Sequence, residues 1–86
     1  MRVSVCVITK DESKKLARCL ESLKSLQGLV AEVLVLDTGS SDDSIQVAER
    51  LGAKVYQQAW RGDFAWARNY LASQAKCDLV LFLDTD

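Results

Sequence analysis

The sharpest chemical signal in the sequence is Asp84-Thr85-Asp86, two carboxylates one residue apart directly after the apolar run 79–83. Two unit charges about 4 Å apart repel by about 4 kcal/mol at an effective dielectric of 20, so the pair calls for a compensating cation. Oxygen donors of this kind suit a hard divalent ion, Mn²⁺ or Mg²⁺, which also takes phosphate oxygens as ligands. An aspartate after a strand can equally begin an ordinary turn, and the motif alone does not separate the two readings. A second group is Asp37-Thr38-Gly39-Ser40-Ser41-Asp42-Asp43. Gly39 permits a tight strand-to-helix turn, and Ser40 or Ser41 can cap the helix that follows. Turn chemistry leaves Asp37 unexplained, because it ends an apolar strand before the turn begins; a carboxylate there can accept a hydrogen bond from a base or a ribose hydroxyl. A third group is Gly62-Asp63-Phe64-Ala65-Trp66-Ala67-Arg68-Asn69. Asp63 suits a helix N-cap, and Arg68 has the geometry to meet a diphosphate, although a solvated helix face is the commoner fate of a single arginine. Trp60 and Trp66 can stack on a base or a sugar, but tryptophan more often serves a core or an interface.

These residues need elements to position them. Four short apolar runs, 3–8, 30–36, 53–56 and 79–83, are rich in Val, Ile, Leu and Phe. The first, second and fourth are near-continuous, as in parallel strands covered on both faces. Three segments between them have helical periodicity. In the first, Leu16, Cys19, Leu20 and Leu23 share a face, with Gly28 as a stop. The second runs over 42–51 with Ile45, Ala48 and Leu51 inward, acidic residues in its first turn and Gly52 as terminator. The third runs over 63–75 with Phe64, Ala67, Leu71 and Ala75 on one side. The order β-α-β-α-β-α-β predicts a three-layer α/β architecture, a Rossmann-like parallel sheet. In such a sheet ligands bind beyond the carboxyl ends of the strands, which is where Thr9-Lys10-Asp11, Asp37-Thr38, Gln57-Gln58 and Asp84-Thr85-Asp86 fall.

The bulk properties narrow the function classes. Eighty-six residues make one small domain. A formal net charge of −1 supplies no field to gather nucleic acid or an anionic membrane. There is no apolar stretch long enough to cross a bilayer and no signal-peptide pattern, so the expected location is cytoplasmic, without membrane insertion. Three cysteines, an odd number, argue against a closed disulfide framework, and the absence of histidine removes zinc and Cys/His chemistry. Cys6, Cys19 and Cys77 read as core or near-core residues.

Taken in order, Val3-Ser4-Val5-Cys6-Val7-Ile8-Thr9-Lys10-Asp11-Glu12, Val35-Leu36-Asp37-Thr38-Gly39-Ser40-Ser41-Asp42, Gly52-Ala53-Lys54-Val55, Ala67-Arg68-Asn69 and Leu83-Asp84-Thr85-Asp86 resemble the family 2 glycosyltransferases. The resemblance covers essentially the whole chain and rests on five blocks in the right sequence. It implies half of a GT-A fold with strand order 3-2-1-4, in an inverting enzyme that uses a nucleoside-diphosphate sugar and Mn²⁺ or Mg²⁺. It further implies that residues 1–86 are the nucleotide-sugar-binding N-terminal part of a domain, truncated after the Asp-X-Asp motif. Ile8, Thr9, Asp11, Asp37, Thr38, Arg68 and Asp84 would then bind the nucleotide sugar, and Asp84 and Asp86 the metal. The general base that activates the acceptor hydroxyl is expected beyond residue 86. Many members carry a Pro-Thr-Tyr-Asn-Glu-like stretch where this chain has Ile8-Thr9-Lys10-Asp11-Glu12, and two consecutive aspartates where it has Asp37-Thr38. The identity of the base is therefore not carried over.

Two other functions compete. One is a non-catalytic nucleotide-binding or interaction module of the same fold, separable by its response to metal and nucleotide. The other is a phosphatase-like enzyme with a nucleophilic aspartate, which ranks last because that motif ordinarily ends the first strand of a domain. The strand order leaves residues 79–83 at an edge of the sheet with the composition of an interior strand. Self-association or a homodimer through this edge is expected.

Overall fold

A computed structural model describes residues 2–85, so Met1 and Asp86, the second expected metal ligand, lie outside the described residues. The chain forms β1 (Val3–Thr9), α1 (Ser13–Ser22), a 3₁₀ turn (Leu23–Leu26), β2 (Val30–Asp37), α2 (Ser44–Arg50), β3 (Lys54–Gln57), α3 (Phe64–Gln74) and β4 (Val80–Leu83). All strand pairs are parallel and the order is β3-β2-β1-β4, as expected. The pleat sends alternate side chains to opposite faces, and both faces are covered. Val5, Val7 and Val35 pack with Leu16 and Leu20 of α1 and Ala48 of α2, whereas Cys6, Leu34 and Leu36 pack with Ala67 and Leu71 of α3. This double coverage explains why β1 and β2 read as near-continuous apolar runs. Each fully buried leucine stabilises the fold by about 2 kcal/mol.

The cysteines behave as expected of packing residues. Burial, with the Glu32 carboxylate adding to it, pushes the Cys6 thiol up to about 11, and burial also raises Cys19. Both thiols are thereby held protonated within the core and its margin.

The helix ends depart from the periodicity in instructive ways. Leu23 is buried as its spacing demands, but it lies in the 3₁₀ turn that follows α1, not in the α-helix itself. Gly28 is not in the left-handed region, so it does not terminate α1 in the manner expected; Gly39, Gly52 and Gly62 are the glycines with positive φ. The second helix starts at Ser44, not at 42, and neither Ser40 nor Ser41 caps it. Those hydroxyls are engaged with Asp11, while the Asp42 carboxylate accepts the Ser44 N–H at 2.9 Å and its hydroxyl at 2.6 Å. Asp63 does cap α3, accepting the Trp66 N–H at 3.2 Å. On that helix Ala67 and Leu71 are buried, but Phe64 is 61% exposed. As the first helical residue it lies at the end of the sheet where the strand termini meet the cleft described below.

The opposite, amino-terminal end of the sheet is tied together by one side chain. Glu32 of β2 accepts the Ser4 hydroxyl from β1 at 2.7 Å, the Lys76 backbone N–H at 2.6 Å and the Lys54 ammonium from β3 at 3.1 Å. Ser4 Oγ in turn accepts the Cys77 N–H at 3.2 Å. Burial alone would raise the Glu32 pKa, but the Lys76, Ser4 and Lys54 hydrogen bonds outweigh it and the net shift is downward.

Candidate functional site

The carboxyl ends of β1, β2 and β4 and the segment leading into α3 enclose a cleft of about 460 Å³. Ile8, Thr9 and Lys10 line it from β1, Thr38 from the end of β2, Asp84 and Thr85 from the end of β4, and Trp60 and Phe64 from the start of α3; Glu12 completes it. Thr38 is fixed to β1 by its N–H and its hydroxyl, which donate to the Thr9 carbonyl at 3.1 and 3.3 Å. Four of the expected nucleotide-sugar ligands, Ile8, Thr9, Thr38 and Asp84, therefore share one cavity.

Asp37 sits beside that cleft. It pairs in register with Thr9 and is 3% exposed. Its Oδ1 accepts the N–H groups of Gly39 at 3.0 Å and Ser40 at 2.8 Å, folding the turn back on the strand end. Gly39 reaches φ +120 with nothing within 4 Å of the site a Cβ would take, so backbone conformation and not crowding selects glycine there. Asp37 Oδ2 is buried with no protein partner, as is Thr9 Oγ1. A buried acceptor left unpaired costs about 1–3 kcal/mol, which a donor from water or a ligand would recover. A smaller hollow of about 220 Å³, lined by Asp37, Gln57 and Gln58 among others, adjoins this residue.

Two expected ligands lie elsewhere. Asp11 adopts φ +52 and turns its carboxylate to the β2–α2 loop, accepting the Ser41 N–H at 2.6 Å and the Asp42 N–H at 3.2 Å. It braces the loop that carries Gly39 and Ser40. Arg68 is on the exposed side of α3 and is not among the residues lining the cleft. The cation of this region that does find a partner is Arg61, whose guanidinium lies 3.8 Å over the Trp66 ring, with Trp66 stacked on Tyr70 at 5.5 Å.

Lys10 and Thr85 read only as members of strand-end groups, Phe64 as an inward helix residue and Glu12 as part of the stretch after β1; none of the four is a candidate ligand from the sequence. Glu12 Oε1 accepts the Thr85 hydroxyl at 3.1 Å, so the β1–α1 loop holds the segment that carries Asp84. Glu12 also pairs with Lys15 at 3.6 Å. The available signal was position alone, since Glu12 closes the polar stretch after β1.

No group of three metal-ligating side chains occurs among the described residues. A magnesium-type ion needs only one or two protein carboxylates and fills its shell with phosphate oxygens and water. Asp84 is exposed at the cleft and able to serve.

A parallel α/β sheet in this strand order, with polar residues gathered beyond its strand ends, is a Rossmann-like arrangement of the kind found in GT-A folds. The model for glycosyl transferase family 2 matches residues 4–86, and the chain belongs to that family. It is 44% identical over 99% of its length to a TPR repeat-containing protein of Synechococcus elongatus, covering 20% of that protein. It is 36% identical, again over 99%, to an uncharacterized glycosyltransferase of Rickettsia felis, covering 29% of it. Among solved structures it resembles glucosyl-3-phosphoglycerate synthase of Mycobacterium tuberculosis bound to Mn²⁺, UDP and glucosyl-3-phosphoglycerate. There the TM-score is 0.77 at 30% identity, covering 99% of this chain and 33% of the synthase. The complex of that enzyme with phosphoglyceric acid gives a TM-score of 0.84 at 29% identity, with the same coverage of both chains. The chain thus spans a fifth to a third of the length of these relatives.

Proposed function

We propose that residues 1–86 form the donor-binding part of an inverting glycosyltransferase, taking up a nucleoside-diphosphate sugar together with Mn²⁺ or Mg²⁺. The observation that carries this reading is the convergence of Thr9, Thr38 and Asp84 on one cleft, with the unpartnered Asp37 Oδ2 buried beside it. Asp84 and Asp86 hold the cation, and the nucleoside lies against Ile8, Thr9, Asp37 and Thr38. Asp11 acts through the loop it braces, and Arg68 approaches the donor only from the α3 side. A divalent ion at Asp84 would stabilise charge on the departing diphosphate. Transfer also needs a general base that takes the proton of the acceptor hydroxyl as its oxygen bonds to the anomeric carbon. We place that base beyond residue 86. The solved complexes of the mycobacterial synthase with Mn²⁺ and UDP support the ligand class.

The test is calorimetry of the protein with UDP and other nucleoside diphosphates, with Mn²⁺ and then with EDTA. We expect weak binding that requires the metal. Equal binding in EDTA would favour the alternative of a nucleotide-binding module without metal chemistry.

No helix among the described residues is long and apolar enough to cross a membrane. A cytoplasmic location is supported by three cysteines that are all free.

The β4 edge supports self-association into a homodimer. Leu81 is 47% exposed on a strand paired only to β1 among the described elements, and the strand has no Pro, Lys or Gly to discourage another edge. Light scattering should show dimers or larger species for the wild type and a shift to monomer for Leu81→Lys. A monodisperse wild-type monomer at high micromolar concentration would rule this contact out.

A further inference from the structure

Six large apolar side chains are exposed among the described residues, and two of them, Trp60 (41%) and Phe64 (61%), line the cleft at the strand ends. The two rings meet edge to face, with centroids 4.8 Å apart and planes 67° apart. This packing restrains both rings without burying them. The contrast with Trp66 is informative. That ring is half-buried, stacked on Tyr70 and covered by Arg61, so its faces are already used. Trp60 and Phe64 have no such cover and stand in a cavity whose other walls are largely polar.

Strand order locates what would meet them. Asp84 ends β4 and Thr38 follows β2, two strand intervals apart in the sheet. At about 4.8 Å per interval this is about 10 Å, the span from a metal-bound diphosphate across a ribose to a base. The segment bearing Trp60 follows β3, which lies beyond β2 on the side away from Asp84. The chain thus brings Trp60 into the cleft from the β3 side, opposite the strand that carries Asp84.

We infer that the Trp60–Phe64 pair is an aromatic wall against which the nucleobase stacks, while the diphosphate is held at the Asp84 end. This rests on the nucleotide-binding reading above and adds a division of labour to it. Stacking accepts any base, because every base has a π-face, so the wall supplies affinity. Choice among bases falls to hydrogen-bonding groups at the strand ends, Asp37 Oδ2 foremost.

The test compares UDP with inorganic pyrophosphate, which lacks the base, in calorimetry of the protein with Mn²⁺. Trp60→Ala should weaken UDP about tenfold and leave pyrophosphate unchanged, and Trp60→Phe should recover most of the loss. Because Trp60 is exposed, the variant should keep the wild-type melting temperature. Unaltered UDP affinity in Trp60→Ala overturns the stacking wall and leaves the nucleotide site standing. Equal losses for UDP and pyrophosphate overturn it too, since a base-stacking residue cannot act on a ligand without a base. Failure of the wild type to bind either ligand with Mn²⁺ overturns the nucleotide site itself, and the wall with it.

Discussion

Replacing Asp84 and Asp86 together with asparagine is expected to abolish measurable Mn²⁺-dependent binding of UDP. Asparagine keeps the shape and one oxygen donor of each side chain but removes both charges. Attraction between single unit charges about 4 Å apart is about 4 kcal/mol at an effective dielectric of 20, and a divalent ion doubles it. Hydration of the freed cation offsets part of this. A loss on the order of a hundredfold or more remains, which takes weak binding below detection. The fold should be indifferent, because Asp84 is exposed. Calorimetry read alongside the melting temperature separates the outcomes. Unchanged nucleotide affinity with an unchanged melting temperature removes these carboxylates from the site.

The second large effect is one of stability and lies at the other end of the sheet. Glu32→Ala removes the acceptor shared by the Ser4 hydroxyl, the Lys76 N–H and the Lys54 ammonium. The Glu32 side chain is 7% exposed and Ser4 is fully buried, so truncation strands the Ser4 hydroxyl, whereas the Lys76 N–H belongs to an exposed residue and can turn to water. A stranded buried donor costs about 1–3 kcal/mol, and a loss of that size is expected. For a domain of this size that lowers the melting temperature by roughly 5–20 °C. Glu32→Gln, which keeps an acceptor oxygen, should lose less.

The pH dependence of this interaction has a definite sign. Because the folded-state pKa is depressed below 4.5, the unfolded chain binds the proton more readily. The stabilisation is full above about pH 4.5 and declines as pH falls through the folded value. Thermal melts from pH 7 to pH 3 should therefore converge for wild type and Glu32→Gln at the acid end. A wild-type minus variant difference that grows on acidification would contradict the network.

The sequence by itself determined the layer architecture. Near-continuous apolar runs at 3–8 and 30–36, short and rich in Val and Ile, fit strands buried on both faces, and the helical stripe through Leu16, Leu20 and Leu23 supplies one cover. Asp63 was legible as a cap because capping is local: the donor it satisfies lies three residues away. Ser40 and Ser41 were misread as caps for the complementary reason. Their partner, Asp11, is about thirty positions distant in sequence and is brought to them only when β1 and β2 pair. The same pairing turns the Asp11 carboxylate to the β2–α2 loop, and the placement of α3 leaves Arg68 outside the cleft while bringing Trp60 and Phe64 into it. Nothing in the run 30–36 marks Glu32 as a network centre, because Ser4, Lys54 and Lys76 converge on it only in the folded sheet. Local chemistry and periodicity are written in neighbouring residues, so the elements, most turns and the position of the carboxylates at strand ends were readable. Which carboxylate lines the cleft and which holds a loop was decided by the tertiary structure alone, because it depends on donors brought together from different strands.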